Sequence, residues 1–188
     1  MRIDQKVLLI MKYLSNEKNE IEGKILLQKC IYFVNELLKL DIKFEPYYYG
    51  PYSSEVTFAI EEMKNTGIIN EEIEKYIADS WLMKYEPRLF KYNLTEFGSN
   101  LADVIEKCYT KEAENIRKAI EKIKEASKNT SKILSIAGKM YLILKLEDRP
   151  KNYKEIISEA EYMNWHIKEE EAKKAIDFLN EIEIVERT

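Results

Sequence analysis

The spacing of apolar residues predicts helices in the first part of the chain. In residues 4–15, "DQKVLLIMKYLS", apolar side chains recur with a helical period after Asp4, which is a predicted N-cap. After the polar segment "NEKNE", a longer apolar stripe predicts a second helix over residues 22–40. Each of these segments therefore needs a partner on which to bury one face.

A third predicted helix begins at Ser53 or Ser54, because either hydroxyl can cap the first turn. It ends near Gly67, where a left-handed C′ residue is expected. The apolar pattern then changes to a period of two, which predicts strands over residues 68–77 and 88–95. The order is three helices followed by a two-stranded hairpin.

This order predicts a mainly α fold of the α+β type, built from three parts. Residues 1–98 match the order of a winged helix with a two-stranded wing. Residues 99–130 contain a long amphipathic connecting helix and the polar linker "SKNTS". Residues 131–188 form a second, smaller helix-helix-helix-strand unit. The single apolar stripe of residues 99–126 fits packing within the chain and a homodimer equally well.

An internal similarity supports the second unit. Residues 53–72 align without a gap on residues 169–188, and the apolar pairs at 68–69 and 184–185 fall on each other. Both segments are predicted to be a helix that runs into a short strand. Residues 131–188 therefore resemble a shortened copy of the first unit that lacks a full wing.

Composition indicates a globular protein outside the membrane. Of the 188 residues, 45% are hydrophobic and 34% are charged, which is typical of soluble domains. No apolar run approaches the ~20 residues of a membrane span. The N-terminus lacks a small-residue cleavage site, so a signal peptide is not expected. A cytoplasmic location is the resulting expectation.

The residues that most often perform catalysis are sparse. Cys30 and Cys108 stand in apolar surroundings and are predicted to be buried thiols. His166 is the only histidine, and it is predicted to be a surface or capping group. One histidine and two cysteines cannot form a zinc tetrad without carboxylates, and no phosphate-binding glycine loop is present. We therefore expect a protein that is not an enzyme, with no catalytic residue, metal or cofactor.

Charge argues against a DNA-reading third helix. That helix carries three glutamates and one lysine, a net charge of −2, and the whole chain carries −4. Duplex DNA is bound chiefly by Lys and Arg that displace its counterions. The predicted wing offers Lys84, Arg88 and Lys91 for contact with a phosphate backbone, and the basic residues within 107–128 offer a second surface. A winged-helix transcriptional regulator is therefore the alternative function.

Two motifs resemble a known family. The segment "LLQKCIYFV" (26–34) is followed by "FEPYYYGPYSSEV" (44–56). Together they resemble the Panacea antitoxin domain, also called SocA-like, which includes the YwgA-type proteins. The resemblance covers roughly residues 5–98, and the second unit is not part of it.

The resemblance implies a non-catalytic protein that binds another protein, as an antitoxin or a protease adaptor does. It assigns signature positions to residues of both motifs. These positions are Gln28, Lys29, Tyr32, Tyr49, Gly50, Pro51 and Tyr52. We expect a regulatory protein-interaction module of this type, and we add Tyr47 to the candidate contact residues.

The tyrosine tract allows two interpretations. Gly50 permits a sharp turn, and Pro51 presets φ for the first turn of the third helix, so the tract is interpreted as a structural corner. An extended run would point Tyr47 and Tyr49 to one side and Tyr48 to the other. Alternatively, the tyrosines are exposed anchors of an interface, where this residue type is enriched.

Overall fold

The computed structural model describes residues 1–75, 88–128, 130–147 and 151–185, and these contain eight helices and five strands. The helices are α1 (Ile3–Leu14), α2 (Lys24–Leu38), α3 (Ser54–Asn65), α4 (Glu96–Cys108), α5 (Thr110–Ser127), α6 (Ser131–Glu147), α7 (Tyr153–Tyr162) and α8 (Glu169–Glu181). The strands are β1 (Glu20–Glu22), β2 (Glu45–Tyr47), β3 (Gly50–Tyr52), β4 (Ile69–Lys75) and β5 (Arg88–Leu94). The fold is mainly helical with two small antiparallel sheets, and the winged-helix assignment stays a prediction.

Local capping sets the ends of α3. The Ser53 hydroxyl accepts a hydrogen bond from the backbone N–H of Val56 at 3.3 Å, which confirms the predicted N-cap. Gly67 has φ of +71°, as expected for a C′ glycine. The N-cap of α1 is Arg2, so the prediction of Asp4 was wrong. Asp4 lies instead in the first turn, where its carboxylate pairs with Arg2.

The hairpin predicted after Gly67 is confirmed. Strands β4 and β5 pair antiparallel, with Ile69 opposite Leu94 at one end and Lys75 opposite Arg88 at the other. Strand β1 joins the other side of β5 and gives the order β1-β5-β4. Sequence patterning missed β1 because a three-residue strand shows too little alternation.

The connecting helix is two helices rather than one. Tyr109 leaves the helical region with φ of −125° and ψ of 49°, and it separates α4 from α5. The break lets both helices pack against α1, where Lys12 pairs with Asp103 of α4 at 2.6 Å. The apolar stripe of α5 is buried within the chain against α1 and α2, so this stripe is not available to a homodimer.

Helix α2 lies at the centre of one continuous core. It packs against α5, α6 and β3, and Phe33 meets Phe178 of α8 edge-to-face at 5.0 Å. Residues from both predicted units therefore share this core. The proposed division of the chain at residues 98 and 131 stays a prediction.

The internal similarity extends to the way the helices end. After α3, the N–H of Ile68 donates to Met63 O at 2.8 Å; after α8, the N–H of Ile184 donates to Leu179 O at 3.1 Å. Glu183 has positive φ, like its counterpart Gly67. The strand predicted at residues 184–185 is nevertheless wrong, since the chain bends there and has no neighbouring strand within the described residues.

The described residues were also compared with the requirements of a membrane span and of a metal site. None of their helices is both long and apolar enough to cross a bilayer. Nor do these residues contain a group of three or more His, Cys, Asp or Glu side chains arranged to hold a metal ion.

Candidate functional site

Strands β2 and β3 form a short hairpin, residues 45–52, that we call the tyrosine hairpin. Tyr47 pairs with Gly50, and Tyr48 and Tyr49 form the turn between them. The side chains of Tyr47, Tyr48 and Tyr49 are 52%, 76% and 62% exposed. The extended run ends at Tyr47, because the chain reverses at this turn, and all three rings are exposed.

The Gly-Pro pair forms the buried base of the tyrosine hairpin. Gly50 has φ of +96°, a conformation that glycine adopts without strain. Pro51 lies in β3 opposite Pro46, and Ser53 caps the helix that follows. The predicted helical role of Pro51 was therefore wrong, whereas the prediction of a sharp turn at Gly50 is confirmed. The tract is at once a structural corner and an exposed aromatic surface.

Two buried side chains of α2 hold this base in place. The Gln28 side-chain amide bonds both backbone groups of Ser53, accepting from its N–H and donating to its carbonyl, each at 3.2 Å. The Lys29 ammonium donates to Pro51 O at 2.5 Å. Gln28 and Lys29 are each only 3% exposed. The Gln-Lys pair therefore supports the corner from inside the protein.

Tyr32 is a core residue. Its ring is buried and meets Phe33 and Phe44 edge-to-face at 5.3 and 5.0 Å. Its hydroxyl has no hydrogen-bond partner among the described residues, and burial raises its pKa. The Tyr32 side chain does not reach the surface, and its predicted role at an interface stays a prediction.

The C-terminal third of the chain holds the hairpin from the other side. The Trp165 indole N–H donates to Tyr47 O at 3.0 Å, and the Lys139 ammonium lies 5.6 Å from the centre of the Trp165 ring. Gly138 of α6 packs so closely that a Cβ at this position would lie 3.1 Å from Pro51 Cγ. Sequence reasoning missed these partners, although a glycine inside a helix can signal a close approach.

A groove of about 600 Å³ runs between the tyrosine hairpin, the start of α2 and strand β5. Its lining is mostly apolar or aromatic and includes Ile25, Tyr49, Tyr52 and Phe90. Lys29 also lines the groove, and burial together with the neighbouring Lys139 lowers the pKa of Lys29 to about 7. Tyr47, Tyr49, Gly50, Tyr52, Gln28 and Lys29, all predicted from sequence, thus meet at one place.

The predicted phosphate contacts do not form a comparable surface. Lys84 and the side chain of Arg88 lie outside the described residues. Lys91 pairs with Glu74 at 2.6 Å, and the nearby Glu20 and Glu22 further raise its pKa. The charge of Lys91 is therefore already compensated by neighbouring glutamates.

The two cysteines and the histidine do not line the groove. Cys30 is buried, which confirms its prediction, and burial raises the pKa of its thiol to about 12. Cys108 is exposed, so the prediction that it is buried was wrong; it is the last residue of α4. His166 is exposed, as predicted, next to the buried Trp165.

Comparison with known proteins gives a relative of similar length. The chain is 30% identical over 176 residues to the uncharacterized protein YwgA of Bacillus subtilis (strain 168), and the alignment covers 92% of this chain and 93% of that protein. No family model matches the chain. Since the alignment spans nearly the whole chain, the relationship is not confined to residues 5–98. It includes most of the C-terminal part that holds the tyrosine hairpin.

Proposed function

This chain belongs to the same family as YwgA, and on that premise we propose that it is a non-catalytic protein-interaction module whose contact surface is the tyrosine hairpin. The resemblance of its Gln-Lys and Tyr-Gly-Pro motifs to the Panacea domain favours an antitoxin or adaptor role. A protein partner is the ligand that this role requires.

The observation that carries the proposal is the exposure of three adjacent tyrosine rings on a base that is held from both sides. Tyr47, Tyr48 and Tyr49 are each more than half exposed. Tyrosine is enriched among interface anchors because a large ring with few rotatable bonds loses little entropy when it is immobilised. A cluster of such rings on a surface is a common mark of a binding site.

The base of the hairpin is preorganised for this role. Lys29 bonds it from α2 and Trp165 bonds it from the segment between α7 and α8. A partner that binds this surface does not have to order the loop first, which lowers the cost of association. The buried signature residues Gln28 and Lys29 thus affect binding indirectly, because they fix the position of the exposed tyrosines.

The DNA-binding alternative has weaker support from the described residues. The exposed face of α3 carries Glu61 and Glu62, and Lys64 pairs with Glu61 at 3.0 Å and with Glu71 at 2.6 Å. A helix with this charge faces repulsion in a major groove. Its single lysine has no spare charge with which to displace counterions.

Site-specific photo-crosslinking in the native host tests the proposal. A photoreactive phenylalanine analogue at position 48 should give a discrete crosslinked protein, identified by mass spectrometry. The matched control places the same analogue at Phe97, which is 59% exposed on α4 and does not line the groove. Excess wild-type protein should compete for the adduct, and a variant with Tyr47, Tyr48 and Tyr49 changed to serine should not. Equal adducts at positions 48 and 97, or none at position 48, would contradict the proposal.

A further inference from the structure

We propose that the groove beside the tyrosine hairpin accepts an extended acidic segment of the partner protein, and that a carboxylate of that segment pairs with Lys29. This inference rests on the proposed function, since it names the chemistry of the partner at the same surface. Its basis is a buried lysine at the groove with which no Asp or Glu of the described residues pairs.

Lys29 has no carboxylate partner among the described residues. Its ammonium bonds the carbonyl of Pro51, and no Asp or Glu of the described residues lies within ion-pair distance. The charged side chain that acts on Lys29 is a second lysine, Lys139, which lowers the pKa of Lys29 further. Most buried charges in proteins are paired, because an unpaired one loses its hydration without compensation. An incoming carboxylate would supply the missing partner.

The start of α2 adds positive potential at the rim of the same groove. Gly23 is the N-cap, it offers no side chain to cap the helix, and the first turn contains no acidic residue. The free N–H groups and the helix dipole therefore favour an anion there. Lys24 lines this rim as well, against the single carboxylate of Glu22 in the described lining.

The shape and lining of the groove favour a peptide. A volume of about 600 Å³ lies within the range of small-ligand pockets, roughly 300–1,000 Å³, so it holds a few side chains and not a folded surface. Ile25, Phe90 and Tyr52 offer contacts to apolar side chains on either side of the carboxylate.

The surroundings disfavour a polyanion. Glu20 and Glu22 on β1 and Glu74 on β4 lie near Lys91 on the same sheet. A nucleic acid backbone would meet these carboxylates along with the lysines, whereas one carboxylate between apolar residues avoids them. The observations therefore favour an acidic peptide over DNA or RNA.

Selection from a phage-displayed library of random twelve-residue peptides tests the inference. The baits are the full-length wild-type protein, Lys29→Met, and the triple serine variant of Tyr47, Tyr48 and Tyr49. We expect wild type to enrich peptides with Asp or Glu between apolar residues. Lys29→Met should lose the acidic preference, and the triple variant should enrich no peptide family.

A double-mutant cycle then isolates the charge pair. A selected peptide and its Asp→Asn or Glu→Gln form are titrated against wild type and Lys29→Met by fluorescence anisotropy. Against wild type, neutralising the peptide should weaken binding about tenfold or more, as for other charge-assisted hydrogen bonds. Against Lys29→Met it should change binding less than twofold, because the partner charge is gone.

A measurement on the wild-type protein tests the same inference without relying on the folding of a variant. The ¹³Cε resonance of Lys29 is followed through a pH titration with and without the selected peptide. A bound carboxylate should raise the pKa of Lys29 by at least one pH unit. An unchanged titration overturns the inference.

Other outcomes separate this inference from the proposed function. Enriched peptides without acidic residues, or equal affinity for Lys29→Met, overturn the carboxylate pairing and leave the crosslinking result standing. Failure to enrich any peptide on wild type overturns the inference as well. Displacement of the peptide by a duplex oligonucleotide or inorganic phosphate at equal charge concentration would assign the groove to a phosphate ligand instead.

Discussion

The indole N–H of Trp165 donates a hydrogen bond to the carbonyl oxygen of Tyr47 across 118 positions of sequence. The donor is buried, and the acceptor is the last residue of β2, directly before the turn formed by Tyr48 and Tyr49. The C-terminal part of the chain therefore fixes the candidate contact surface of the N-terminal part. The segment between α7 and α8 thus holds β2 in place through this bond.

Removal of that donor should loosen the hairpin. Trp165→Phe keeps most of the apolar ring and deletes the N–H, so we expect a loss of about 1 kcal/mol in the free energy of unfolding. Amide hydrogen exchange of residues 47–52 should accelerate. Urea denaturation and exchange mass spectrometry measure the two effects. His166→Ala, at the exposed neighbouring position, is the control and should change neither quantity.

Gly98 and Gly67 should respond differently to alanine. A Cβ at Gly98 would lie 2.0 Å from the carbonyl oxygen of Ile68, which is backbone and cannot move aside cheaply. We expect Gly98→Ala to cost about 3 kcal/mol or more. A Cβ at Gly67 meets nothing within 4 Å and is opposed only by φ of +71°, so its cost should be about 1 kcal/mol. Equal thermal denaturation midpoints for the two variants would refute the close approach at Gly98.

Stability should rise with pH above neutrality because of Lys29. Its pKa is lowered from 10.5 to about 7 in the folded protein, so between these values the unfolded chain binds the proton and the folded chain does not. The slope approaches ~1.4 kcal/mol per pH unit, and the contribution is constant below pH 7, where both states are protonated. Urea denaturation of wild type and Lys29→Met from pH 6 to 9 should show this slope in their difference. A flat difference would contradict it.

The ion pair between Glu36 and Lys145 should contribute more to the free energy of unfolding than an exposed ion pair does. Both carboxylate oxygens of Glu36 accept from Lys145 at 2.9 Å, and the Glu36 side chain is 5% exposed. Lys145→Met should cost about 2 kcal/mol, because a nearly buried carboxylate loses its main partner. Lys122→Met, which breaks the exposed pair with Glu183, should cost clearly less, because solvent screens that pair. Chemical denaturation of both variants compares the two costs.

The two thiols should differ in reactivity. Cys108 is exposed, whereas Cys30 is buried and its pKa is raised to about 12. Since the thiolate is the reactive form, iodoacetamide at pH 8 should label only Cys108 in the native protein. Both should react in urea, as intact-mass spectrometry would show. Native labelling of Cys30 would mean that the α2 core opens on the labelling timescale.

Local sequence patterns predicted the structural elements that depend on only a few neighbouring residues. The cap at Ser53, the C′ glycine at Gly67 and the hairpin that follows depend on backbone chemistry that each short segment carries by itself. The Gln-Lys and Tyr-Gly-Pro motifs likewise indicated the residues that meet at the groove. For these features, the amino-acid sequence alone was informative.

Tertiary structure decided which of those residues are exposed. Sequence spacing could not show that Lys29 and Tyr32 are buried while Tyr47, Tyr48 and Tyr49 face solvent, because a turn of two residues reverses the chain. Nor could it reveal the bond from Trp165, the close approach of Gly138 or the break at Tyr109. Each depends on packing between segments far apart in the chain, and only the folded protein brings those segments together.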